Sequence, residues 1–202
     1  MRNKLFFLIG LIIGITLAPP LGATSIRIVN LEEMVQLADR VFRGRCLATR
    51  EVPGVAGLQA MEYTFEVTEG VKGTETGQRI VFRQVLAPRR GVRGIPGMPG
   101  YHEGQDLLMF LHGDSQLGLT SPVGFNQGVF RVLNQGEDGV RVVNGLDNRN
   151  LVMGGVAPAA DVGLSLDEST LISQGGSLPL RTLTSAIRKI DRYQTANRRA
   201  AQ

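Results

Sequence analysis

Both histidines of the chain lie in one stretch, GYHEGQDLLMFLHGD, from Gly100 to Asp114. Glu103 follows His102, Asp106 comes next, and Asp114 stands just beyond His112. These residue types ligate metals and move protons. A zinc protease, however, needs its two histidines one helical turn apart with a glutamate between them. Here the second histidine comes ten residues after the first, across the apolar run QDLLMFL. That run reads as a strand, and ten residues of strand span about 33 Å. On this reading the histidines sit at opposite ends of one strand and cannot share a metal. Asp114 can pair with His112 and Glu103 with His102, but spacing identifies no third partner for either pair.

Other catalytic patterns are missing. No serine stands in G-x-S-x-G, the turn that exposes a hydrolase nucleophile. GTETG and GIPGMPG contain glycines but lack the Gly-Lys-Ser/Thr that opens a phosphate-binding helix. Cys46 is the single cysteine, so no internal disulfide framework exists. A catalytic thiol needs a base beside it to form thiolate, and nothing in the sequence places a histidine there. Cys46 is read as a small buried side chain in a strand. No catalytic residue, metal ligand or cofactor is assigned.

A second group of residues suits recognition better than catalysis. PRRGVRGIPGMPG, Pro88 to Gly100, has four glycines, three prolines and three arginines, too many breakers for a strand interior or a helix. It reads as a long mobile loop. Arg83, Arg89, Arg90 and Arg93 cluster in and beside it, with Tyr101 and His102 at its exit. Guanidinium forks fit carboxylates and phosphates, so these six residues form the candidate contact surface.

The elements that must position these residues are mostly strands. RVFRGRCLATREV sets Phe42, Gly44 and Cys46 against Val41, Arg43 and Arg45. MEYTFEVTEGVKG alternates strictly, with Met61, Tyr63, Phe65 and Val67 on one side and Glu62, Thr64 and Glu66 on the other, the pattern of a half-buried strand. QRIVFRQVLA adds Ile80, Phe82 and Val85. QDLLMFL is apolar enough for burial on both faces. GVFRVLNQGEDGVRVVNG reads as a hairpin, Val129–Leu133 and Val140–Val143 around a Gly- and Asp-rich turn. Two helices flank the strands. NLEEMVQLADR has Asn30 as a cap, Glu33 placed to complete a capping box, and Leu31, Met34, Val35 and Ala38 on one face. SLPLRTLTSAIRKIDRYQ carries the stripe Leu180, Leu183, Ile187 and Ile190, with Ser177 as the expected cap and Pro179 in the first turn. The stripe is expected to dock on the strands. ANRRAAQ reads as a frayed tail, and residues 145–176 as an extended or irregular wrapping segment.

The chain of 202 residues opens MRNKLFFLIGLIIGITLAPPLGATS. Arg2 and Lys4, the apolar run from Leu5 to Ala18 and the small residue Ala23 have the form of a secretory signal peptide, cleaved after Ala23. The run is short for a membrane span and ends at Pro19-Pro20. Cleavage would remove Arg2 and Lys4, taking the 22 basic residues to 20 against 18 acidic and the net charge to about +2. So small an excess, together with export and the absence of tryptophan, argues against nucleic acid. The expected division is a signal peptide (1–23), a β domain (24–144), the wrapping segment (145–176), and a helix with its tail (177–202).

ADRVFRGRCL, YTFEVTEGVKG and YHEGQDLLMFL, taken in order and spacing, resemble the netrin-like module found in tissue inhibitors of metalloproteinases and in netrin and complement C-terminal domains. The resemblance rests on Ala38-Asp39, on Tyr63, Phe65, Val67 and Lys72-Gly73, and on Gly104, Leu107, Leu108 and Phe110. It covers Ala38 to about Leu111. It implies an OB-like five-stranded barrel, with the short N-terminal helix, the added hairpin and the C-terminal amphipathic helix packed around it. It does not carry over the inhibitors' mechanism, which needs an N-terminal cysteine that this chain lacks. A loose set of exported bacterial proteins shares the layout.

The expectation is a mainly β, monomeric, exported protein, periplasmic or extracellular, with no membrane span after cleavage. It would act as a non-enzymatic interaction module for a protein or an anionic envelope component. A small hydrolase or metal-dependent enzyme around His102 and His112 is the second reading, and an anionic-polysaccharide binder the third. Fold alone is a weak warrant for any of them.

Overall fold

The computed structural model describes residues 27–54, 59–86, 88–89, 92–93, 95, 97–134, 139–152 and 162–201. The expected signal segment, 1–23, and the tip of the expected hairpin, 135–138, lie outside the described residues.

The alternating segments form the strands that their period requires. β1 (Arg40–Pro53), β2 (Gln59–Lys72) and β3 (Arg79–Leu86) make a meander. β4 (Pro88–Arg89) and β5 (Val92–Arg93) pair only with each other. β6 (Asp106–Leu111), β7 (Val129–Asn134), β8 (Val140–Asn144) and β9 (Leu178–Pro179) complete a seven-stranded antiparallel sheet of order β3-β2-β1-β6-β7-β8-β9. β6 lies at its centre against β1, from Arg40↔Leu111 to Arg45↔Asp106. Its apolar run is buried on both faces, as the sequence suggested.

Each face carries its own core. On one face pack α1 (Leu31–Leu37), α2 (Leu166–Ser173) and α3 (Leu180–Ala200). Leu31, Met34 and Val35 meet Leu108 and Phe110 of β6 there, beneath the α3 stripe Leu180, Leu183, Ile187 and Ile190. The expected docking of that stripe is what the structure has. The other face gathers Phe42 and Cys46 of β1, Tyr63, Phe65 and Val67 of β2, Phe82 of β3 and Leu107 and Met109 of β6. Tyr101, arriving from the loop, covers this core with its ring 4.7 Å from Tyr63 and 5.6 Å from Phe65.

The sheet does not close into a barrel. Closure of a five-stranded OB sheet requires the third strand to meet the far end of the ladder. Here β3 and β9 are the two ends. The β6–β7 connection reaches β3 instead, where the Thr120 N–H donates to the Arg83 carbonyl at 2.9 Å.

Four local expectations need correction. The stretch 145–176 is not wholly irregular. It holds α2, whose Ser165 and Glu168 form a complete capping box, and it buries Leu151, Val162, Leu164 and Ile172 in the helical core. Ser177 does not cap α3, because its Oγ accepts from Arg141 Nε at 2.9 Å. Pro179 takes the cap position without a side-chain bond, and the N–H that proline lacks is not needed at a helix start. The tail is helical to Ala200. The Pro/Gly/Arg loop includes the two-residue ladder β4–β5, so its breakers do not prevent local pairing. Among the described residues, no helix is long and apolar enough to cross a membrane.

Candidate functional site

The two histidines lie at opposite ends of β6. Near the first, Gly104 and Gln105 bond to the backbone of Cys46; at the other end Asp39 bonds to Leu111, so the stretch of β1 between Asp39 and Cys46 separates them. His102 is exposed, its N–H donating to Gln105 Oε1 at 3.0 Å and its Nδ1 lying 3.2 Å from the Glu103 carbonyl. The backbone of His112 is tied to Ser121 and to the Thr120 hydroxyl. Asp114 pairs with Arg40 at 2.5 Å rather than with His112. Among the described residues, no three His, Cys, Asp or Glu side chains gather in a metal-binding arrangement. Cys46 is buried and free, and burial pushes its thiol pKa up.

The arginine cluster divides. Arg83 projects from the outer sheet face and donates from Nε to Glu62 Oε2 at 2.8 Å, while Arg50 Nη2 reaches Glu62 Oε1 at 2.5 Å. Arg83 first, then Arg50, holds the Glu62 carboxyl below its usual range. Arg83 therefore has an intramolecular partner. The backbones of Arg89 and Arg93 form the β4–β5 ladder; their side chains, and all of Arg90, lie outside the described residues. Tyr101 is only 8% exposed, and its phenol oxygen accepts from buried Gln84 Nε2 at 3.3 Å. Burial pushes its phenol pKa up. It anchors the loop in the core before it can contact anything else.

The structure adds a feature that reading along the sequence missed, where the loop returns to the sheet. Asn144 ends β8 and folds the chain back. Its Oδ1 accepts from the N–H groups of Leu146 at 3.0 Å and Asn148 at 2.8 Å, and its Nδ2 donates to the Gln127 carbonyl at 2.9 Å. Asn148, wholly buried, accepts from the Asn144 N–H and donates to the carbonyls of Val142 and Gly176. Gln127 accepts from the Val29 N–H and donates to the Arg27 carbonyl. Three buried amides thus bind the turn after β8, the short 3-10 turn Phe125–Gly128 and the segment before α1. Such a network needs every partner, because a buried polar group left unpaired costs about 1–3 kcal/mol.

The backbone here is strained. Asp147, Asn148 and Asn150 have φ of 56°, 55° and 67°, and Phe125 across from them has 57°. Asn and Asp tolerate the left-handed region, whereas a phenylalanine held there costs roughly 1–3 kcal/mol. NGLDNRN was therefore legible as a turn of left-handed-tolerant residues; its network partners, far away in sequence, were not.

Around this frame lie two adjoining hollows. One, of about 580 Å³, is bordered by Ile28, Leu146, Asp147, Arg149 and Asn150. The other, of about 250 Å³, is bordered by Pro99, Gly100 and Tyr101 of the loop's return, with Leu107, Val129 and Arg131. Asn126 and Gly145 belong to both. A Cβ on Gly145 would stand 2.7 Å from Asn126 Cβ, so the close approach of these two residues requires glycine there. Arg149 lies 3.7 Å from Asp147 in the larger hollow. No acidic residue borders the smaller one among the described residues. Among the described residues, Arg131 makes no hydrogen bond or ion pair. The arrangement can hold a ligand by a guanidinium and an Asn126 amide that have no partner among the described residues, and by a partly apolar floor.

No protein-family model, curated protein or solved structure matches the chain.

Proposed function

We propose that the chain is an exported, non-enzymatic interaction module whose partner contacts run along the sheet end where the Pro88–Gly100 loop leaves and returns. One observation carries this reading. The loop's exit is fixed in the core by Tyr101, and beside it the chain maintains a strained, fully bonded turn bordering open hollows. Loops on a rigid footing are where binding surfaces concentrate, and strain held in place by a buried network is typical of such sites.

The netrin-like resemblance supports the same reading. The residues behind it hold structural places: Tyr63, Phe65 and Val67 in the aromatic core, Leu107, Leu108 and Phe110 in β6, and Gly73 and Gly104 in turns of positive φ. The run β3-β2-β1-β6-β7 enclosing an aromatic core has the strand neighbours of an OB-like fold lacking its final closure. The hydrolase reading has weaker support, since His102 and His112 have different surroundings and Asp114 belongs to Arg40.

The test is capture from envelope and secreted fractions of the producing cell, using the processed chain and a variant lacking residues 92–97. A partner held by the first and lost by the second is the expected result. Equal capture by both would remove the loop from the contact surface.

A further inference from the structure

We infer that the paired hollows form a groove for an acidic, extended peptide segment of a partner protein, with Arg131 as the carboxylate-binding residue. This rests on the interaction-module reading and names the chemistry of its contact. β7 sets Val129 into the aromatic core, and two residues later on the same strand face Arg131 projects where that core ends. It stands exposed at the smaller hollow with no acidic residue bordering it among the described residues. Several of the described cations that reach this sheet have a partner, Arg43 with Asp106, Arg83 with Glu62, Arg141 with Ser177 and Arg188 with Glu69, whereas Arg45 and Arg79 have none among the described residues and are not among the residues bordering the two hollows. Arg131 has none of these arrangements. A guanidinium beside a hollow, with no partner among the described residues, is suited to a planar carboxylate, which it can hold through two parallel N–H···O bonds.

The remaining borders fit a polypeptide. Asn126 is exposed on the wall between the hollows, and its amide makes no hydrogen bond among the described residues. An amide both donates and accepts, as a peptide backbone group crossing the wall requires. Beyond it the larger hollow has two apolar side chains at its rim, Ile28 at 50% and Leu146 at 38% exposed. They can cover an aliphatic residue neighbouring the acidic one. A saccharide is less well served. Sugar rings favour an open aromatic face, and among the described residues the one aromatic residue bordering either hollow, Tyr101, has its ring in the core.

The test uses the chain as purified from the cells that make it. It is titrated by fluorescence polarisation and by amide NMR shifts with three probes: an end-blocked, alternating Leu/Glu hexapeptide, its Leu/Gln counterpart, and an oligogalacturonate. The Leu/Glu peptide should bind at least about ten-fold more tightly than the Leu/Gln peptide, weaken as salt is raised, and shift the amides of residues 126, 131 and 145–150. R131E should abolish this binding and R131K should retain part of it, since Lys keeps the charge but not the fork. Unchanged stability of R131E would separate lost binding from lost folding. Equal binding of the Leu/Glu and Leu/Gln peptides, undiminished binding to R131E, or binding of the oligogalacturonate alone would overturn the inference. Any of these alongside loop-dependent capture of a partner would leave the module reading standing. Peptide binding at the groove with no loop-dependent capture would retain the groove and remove the loop.

Discussion

Asn148 shows how one side chain can determine a surface. It is wholly buried, holds a left-handed conformation and joins β8 to the turn before β9 through three hydrogen bonds. N148A would leave the Asn144 N–H and two carbonyls without partners, in a conformation that alanine disfavours. We expect a loss of about 3 kcal/mol or more by urea denaturation; a loss below about 1 kcal/mol would mean that the network is not cooperative. Cys46 behaves in the opposite way, as a quiet core residue. Its thiol is buried and its pKa is raised by that burial, with Glu103 adding to the effect. An aromatic-disulfide thiol reagent at pH 8 should react only after denaturation; fast labelling of the native chain would show an accessible thiolate. The reading of Cys46 as buried came directly from alternation in its strand. Tyr101 could not be read in that way, because a tyrosine at the end of a Gly/Pro-rich loop looks exposed until the fold brings Tyr63, Phe65 and Phe82 around it.

The elements were legible to the extent that their pattern was local. Tyr63, Phe65 and Val67 alternate over a long strand, and the stripe from Leu180 to Ile190 repeats over three turns, so both were read correctly. α2 has only Ile172 buried within it and a weakly patterned face, which left it within an apparently irregular stretch. Its stability depends on its ends. Glu168 completes the capping box with Ser165 and binds Lys189 of α3 at 2.7 and 2.9 Å. The Lys189 bond first, then the Ser165 backbone, keeps the Glu168 carboxyl pKa below its ordinary value. A carboxyl whose folded pKa lies below its unfolded value, about 4.3, stabilises fully above that pH and loses its contribution as pH falls through the folded value. E168Q should therefore be less stable at pH 7, by about 1 kcal/mol on the scale of a lost cap, and its stability should fall less steeply between pH 5 and 3. Parallel acid limbs for the two proteins would remove Glu168 as a contributor.

At the scale of the whole molecule, one sheet separates two cores that do different work. The helical core, from Val29 to Ile190, holds α1, α2 and α3 on the sheet. The aromatic core, from Phe42 to Val129, supports the loop and the groove beside it. Whether strand neighbours close a ring depends on long-range geometry; here the Thr120–Arg83 bond takes the place of a pairing partner for β3, and no local pattern in the sequence encodes that choice. The same holds for the groove. NGLDNRN, Arg131 and the loop's return are far apart in the chain; only the loop was singled out from the sequence, and its meeting with the other two was not legible there.

The most direct measurement is thermal stability and partner capture made side by side on the variant lacking residues 92–97. The loop's exit is held by Tyr101, which the deletion leaves in place, so Tm should stay within about 2 °C of the parent while capture is lost. A variant that unfolds, or one that stays folded and captures the same partner equally well, would contradict the central claim that this sheet end is the contact surface.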